Sequence, residues 1–146
     1  MKIAILDQPF NAWAAIQQYE DKLFQQQGKC GAIVPFVGKM RDYNEGDTVQ
    51  KMYLEHYPAM TQRYLEKISQ EAMEKWPILD TLIMHRVGEI LPNDTIVVVA
   101  TWAGHRGEAF ESCRYLIEEL KHRAPFWKKE TLVKGSRWVE QNTPSI

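Results

Sequence analysis

The chain has 146 residues, 45% of them hydrophobic and 25% charged, with a formal net charge of −1 at neutral pH. That is enough chain to bury a real core as a single domain over residues 1–146, and the balance argues against a disordered segment or a general nucleic-acid binder. No apolar run approaches the roughly 20 residues that span a bilayer, MKIAILDQPF does not read as a signal peptide, and Cys30 and Cys113 give neither a disulfide framework nor metal-ligand spacing, so a cytoplasmic protein is expected.

In chain order, NAWAAIQQYEDKLFQQQG predicts a helix. Trp13, Ile16, Leu23 and Phe24 recur at helical spacing, Asn11 is placed to cap it and Gly28 to stop it. CGAIVPFVG predicts a buried strand in which Pro35 demands an edge or a bulge. KMRDYNEGDT is polar and rich in turn formers, so it predicts a mobile loop of about ten residues. TVQKMYLEHY partly alternates and predicts a strand, and Pro58 then opens a helix with Met60, Tyr64, Leu65, Ile68 and Ala72 on its inner face.

DTLIMHRVG predicts a strand, ILPNDT a turn, and TIVVVATW a central strand, because it is apolar at nearly every position. GEAFESCRYLIEELKHR is the clearest helix, its stripe formed by Phe110, Cys113, Leu116, Ile117 and Leu120 and its end set by Pro125. FWKKETLV, a KGS turn and RWVE predict a closing β-hairpin. The fold class expected is α+β, largely antiparallel, with three main helices.

Charge is not spread evenly. Lys121, Arg123, Lys128, Lys129, Lys134 and Arg137 face one acid, Glu130, so the Lys121–Arg137 segment carries +5 and the rest of the chain −6. A basic focus on an acidic body suits a small anionic ligand or the acidic end of one partner, not a long polyanion. Lys121 falls at the edge of an apolar helix stripe, where burial lowers its pKa and the helix C-terminus raises it. The same position suits a lysine whose stem merely covers the core edge. In a strand, Phe126, Lys128 and Glu130 share one face and Trp127 and Lys129 the other. The turn forced by Pro125 brings Lys121 and Lys128 within reach of one another, as an anion site, unless both belong to a solvated face.

Two further basic constellations are weaker alone. In TWAGHRGEAF a strand runs into a helix start, where free N–H groups and the Arg106 guanidinium suit an anion beside His105, although a glycine-flanked His-Arg pair is more often turn chemistry plus a surface charge. In GKMRD, Lys39 and Arg41 flank Met40 at the mouth of the polar loop. Cys113 lies on an apolar stripe, Cys30 has no neighbouring base, and the four histidines show no ligand spacing, so no metal and no cofactor is expected. Walker, GxGxxG and GxSxG motifs are absent.

FVGKMRD, LEHYPAM, HRVGEI, AGHRGEAF, LKHRAPFWKKE and GSRWVE together resemble, in order from about Gly31 to Val139, the large catalytic subunit family of molybdopterin synthase, MoaE. The three basic constellations all fall inside these blocks. The resemblance implies an α/β-hammerhead fold with an additional antiparallel β subdomain, assembled as a homodimer. It implies one small ubiquitin-like carrier per protomer, a heterotetramer overall, with the carrier's Gly-Gly thiocarboxylate threaded into a pocket. The implied activity is that of a sulfurtransferase in molybdenum cofactor biosynthesis, converting cyclic pyranopterin monophosphate to the molybdopterin dithiolene.

On this basis Lys121 and Lys128 are the expected catalytic lysines. His105 and Arg106 would hold the pterin phosphate, Lys39, Met40 and Arg41 would close over it, and Lys129 and Glu130 would complete the wall. Phe126 and Trp127 would fix the backbone that aims Lys128. The segment EQNTPSI after Val139 is short, so part of the carrier contact is expected to differ. Two other classes compete: a non-catalytic anion or nucleotide module docking an acidic partner, and a phosphate-ester hydrolase using His105 as base.

Overall fold

The computed structural model describes residues 1–23 and 28–139. One sheet has four strands in the order β1 (Lys2–Leu6), β5 (Ile78–Arg86), β7 (Thr95–Ala103), β2 (Ala32–Lys39). β7 lies between β5 and β2, as its unbroken apolar run requires, because a strand covered on both faces has no polar side to show. Period-2 alternation divides its residues between two cores. Val98, Ala100 and Trp102 pack with Ala12 and Tyr19 of α1 (Ala12–Lys22), whereas Val97 and Val99 pack under α2 (Pro58–Lys75) and α3 (Arg106–Arg123).

The pairing of β1 with β5 is parallel, with Ile3 opposite Ile83, and the other described pairings are antiparallel. Neither β1 nor the short β6 (Gly88–Ile90) was expected from the sequence. β2 is an edge strand, which satisfies Pro35, but it is only partly buried rather than a core strand, with Ile33 and Phe36 exposed. The second sheet runs β3 (Tyr43–Asn44), β4 (Asp47–His56), β8 (Phe126–Leu132), β9 (Gly135–Val139), with β6 beside β4.

Two further sequence expectations need correction. Residues 39–48 are not an open loop: Tyr43 and Asn44 pair with Thr48 and Asp47 across a two-residue turn. Glu45 and Gly46 both have positive φ (51° and 80°), the conformation that matches strand twist in a tight hairpin. Trp13, Met60 and Phe110 are exposed, although the stripe arithmetic places them inside. The buried positions are instead Ala12, Thr61 and Ala109, each next in sequence to the expected residue, because a helix lying close on a sheet needs its small side chains at the contact. Thr101 shows how close: its hydroxyl donates to the Ala109 carbonyl at 2.8 Å. Asn11 does cap α1, accepting from the Ala14 amide; Phe24 lies outside the described residues.

Candidate active site

α3 stops where Ala124 turns extended ahead of Pro125, and Phe126 begins β8 with its amide donating to the Ala124 carbonyl at 2.8 Å. So short a connection folds the strand back across the end of the helix. Tyr64 of α2 donates its hydroxyl to the Glu119 carbonyl at 3.0 Å and ties down the last turn of α3. Lys121, on that turn, and Lys128, two residues into β8 on the inward face, line a single cavity of about 120 Å³. Lys39, Met40, Arg41 and Glu130 line it too, over an apolar floor of Met52 and Ile96.

The two amines feel each other. Burial, and then the nearby charge of Lys128, push Lys121 down to about 8 from an ordinary lysine value. Lys128 is also lowered, by burial first; Glu130 opposes this and Arg41 adds to it. The guanidinium of Arg41 stacks over the Tyr43 ring, 4.7 Å from its centroid. Met40 is pinned by two main-chain bonds, its amide to Asp94 and its carbonyl to the Asn93 amide, both 2.9 Å.

Glu130 is a buried carboxylate with its partners supplied. It accepts from Asn44 Nδ2 at 3.1 and 3.2 Å and from Arg137 Nε at 3.0 Å. Arg137 also donates to Asp47 and to the Asn44 carbonyl, both at 2.9 Å, so one guanidinium joins the β3–β4 hairpin to β8 and β9. The alternation expected along β8 is present: Trp127 and Lys129 point outward, Trp127 against Tyr57 and Lys129 over Trp138. Lys129 therefore stands outside the cavity within one protomer. His105 and Arg106 do as well. They sit exposed at the start of α3, fifteen positions from Lys121, about 22 Å along a helix rising 1.5 Å per residue.

A pair of histidines, His56 and His85, stands close to the lysines and is only faintly marked in the sequence. Phe126 lies flat on His85, ring centroids 4.0 Å apart and 13° from parallel, with His56 tilted on it at 6.1 Å. The available signal was a histidine inside an otherwise buried strand, HRVG at the end of β5. The two thiols are poorly suited to chemistry by contrast. Cys113 is buried and pushed up to about 12 by that burial, and Cys30 is an exposed free thiol. Among the described residues no group of three or more His, Cys, Asp or Glu is placed to hold a metal, and no described helix is long and apolar enough to cross a membrane.

The family model described as MoaE protein matches residues 6–123. A molybdopterin synthase catalytic subunit from Ralstonia nicotianae is 50% identical over 112 residues, covering 77% of this chain and 64% of that protein, less than two thirds of its length. One from Pasteurella multocida is 44% identical over 140 residues, covering 96% of this chain and 90% of that protein. The solved MoaE protein of Burkholderia ambifaria superposes with a TM-score of 0.79 at 45% identity, over 99% of this chain and 92% of that one. Fold and cavity thus define an α+β protein in which two lysines line one pocket. The chain belongs to the MoaE family.

Proposed function

We propose that this chain is the catalytic subunit of a molybdopterin synthase, one large-subunit domain acting as a sulfurtransferase in the cytoplasm. It takes sulfur from the thiocarboxylated Gly-Gly terminus of a small ubiquitin-like carrier and gives it to cyclic pyranopterin monophosphate. The observation that carries this reading is the convergence of Lys121 and Lys128 in one narrow cavity. A narrow passage suits glycine, whose missing side chain lets a chain end enter where any other residue would clash. With Cys113 buried and raised, and Cys30 exposed and not among the residues lining the cavity, sulfur is best supplied from outside. Both ligands are anions, and the cavity offers Lys39, Arg41, Lys121 and Lys128 to receive them.

In the transfer, the sulfur of the thiocarboxylate bonds to an oxygen-bearing precursor carbon, whose oxygen leaves as water. A second water then attacks the carrier's terminal carbonyl and breaks its C–S bond, so the carrier leaves as carboxylate and the sulfur stays on the precursor as thiolate. Ammonium groups in a poorly hydrated cavity stabilise the oxyanion of the tetrahedral adduct and move protons to and from it. Glu130 serves the wall by holding Arg137 and Asn44, and Phe126 by stacking on His85 two positions before Lys128. For His105 and Arg106 to hold the pterin phosphate, the α3 start of a second protomer must reach this cavity. That fits a homodimer carrying two carriers, a heterotetramer.

The test is turnover of precursor by the purified chain with thiocarboxylated carrier. Lys121→Ala and Lys128→Ala should each lower it by about 10²-fold or more, the scale of a lost acid or base, with melting behaviour preserved. Near-normal turnover by both variants would overturn the catalytic assignment. A binding module without chemistry would show no turnover at all, with affinity falling stepwise as charges are removed or salt is added.

A further inference from the structure

Arg86, the last residue of β5, is only 3% exposed, and a buried guanidinium is costly unless its charge and donors are met. What meets it is the connection from β6 to β7. Nη2 donates to the Glu89 carbonyl at 2.6 Å, and Nη1 stands 3.9 Å from Asp94 Oδ2. Nε and Nη1 make no hydrogen bond among the described residues, so the hold of Arg86 is concentrated on that connection. The turn at 91–94 is itself closed on both sides. Pro92 presets its first central position, Asn93 takes the second at φ 74°, and the Asp94 amide donates to the Leu91 carbonyl at 3.0 Å. The Asp94 carboxylate accepts from the Leu91 amide, also at 3.0 Å. The turn then reaches the site. Met40 donates its amide to the Asp94 carbonyl and accepts from the Asn93 amide, both at 2.9 Å. β2 ends at Lys39 after a register slip, so Met40, buried in the cavity lining between Lys39 and Arg41, takes its position from the turn.

We propose that Arg86 is a positioning residue for the cavity lip: holding the Glu89 carbonyl and the Asp94 carboxylate from inside the protein, it fixes the 91–94 turn and, through that turn's two main-chain bonds to Met40, sets Lys39 and Arg41 for the anionic substrate. Stability alone does not call for a charge at this position, since apolar side chains of similar volume often replace buried ionic groups without loss. Asp94 would not be stranded by the change, because its side chain is 31% exposed and keeps water. A fork is what the geometry uses: a planar guanidinium reaches two acceptors at fixed separation, where an ammonium reaches one or the other. The part played in substrate capture rests on the function proposed above, whereas the clamp on the turn does not.

Three substitutions separate positioning from simple packing. Arg86→Met removes both contacts, Arg86→Lys keeps the charge but not the fork, and Asp94→Asn keeps an oxygen for the Leu91 amide while removing the charge. The readouts are hydrogen exchange at the Met40 and Asn93 amides, and kcat and KM for precursor with thiocarboxylated carrier. Arg86→Met should speed exchange at both amides about tenfold or more while the middle of β7 stays protected. It should raise KM for precursor about tenfold with kcat within about twofold, because Lys121 and Lys128 are untouched. Arg86→Lys should recover part of both effects. A residue that merely supports the fold would do the opposite, lowering apparent kcat through a smaller folded fraction with KM unmoved. That pattern, or wild-type exchange at Met40 and Asn93 in Arg86→Met, overturns the proposal, as does loosening of both amides with no change in KM. Should Arg86→Met fail to fold, Asp94→Asn decides: faster exchange at the two amides supports the clamp, and unchanged exchange overturns it. If the variants loosen both amides but wild-type protein transfers no sulfur, the proposed function falls and the clamp stands.

Discussion

Lys121 holds a position that suits a reaction better than it suits stability. With a pKa of about 8, roughly one molecule in ten carries the free amine at pH 7. In the unfolded chain the amine returns to its ordinary value of 10.5, so between pH 8 and 10.5 the unfolded state binds more protons than the folded one. Stability linked to this residue therefore rises with pH across that window, and below pH 8 the buried charge is a standing cost. Lys121→Met should melt above wild type at pH 7, and its advantage should shrink steadily as the pH climbs from 8 towards 10. Parallel melting curves at both ends of the range would mean the ammonium is better solvated than its burial implies. The inward alternation of Phe126, Lys128 and Glu130 was legible in the sequence because it depends only on strand geometry. His85 was not, because its significance comes from Phe126 on a distant strand, and no local pattern links the two.

The β3–β4 hairpin looks like a mobile loop in the sequence for a similar reason. Its composition is that of a loop, and what fixes it is remote: Asn44 meets Glu130 across 86 positions, and Arg137 meets Asp47 across 90. Polar residues that look solvated one at a time become ordered when a single guanidinium collects them. The same hairpin follows Lys39, Met40 and Arg41, so the cavity's lip is held from the far side of β8. Arg137→Ala should raise amide hydrogen exchange at 43–48 by at least tenfold while leaving β5 and β7 protected. Turnover should fall through a higher KM, because the lip would no longer be preset. Unchanged exchange would show that the Asn44–Glu130 bonds and the turn at Glu45 and Gly46 suffice.

For the molecule as a whole, the sequence yielded the three helices, the central place of β7 and the closing hairpin, since each is written in local periodicity. It did not yield the inner rows of the helices, where the sheet beneath selects Ala12, Thr61 and Ala109 over larger neighbours. Nor could it measure separation, and here α3 matters most. A rod 18 residues long carries His105 and Arg106 at its beginning and Lys121 near its end, so one copy cannot present both groups to the same small ligand. On the proposed assembly, a protomer crippled at one end of the rod can lend its sound end to a neighbour crippled at the other. Mixing Lys121→Ala with Arg106→Ala, each nearly inactive alone, should restore about a quarter of normal turnover, because random pairing makes half the dimers mixed and gives each of those one intact pocket. A mixture as inert as its parents would mean that each protomer works from its own residues alone.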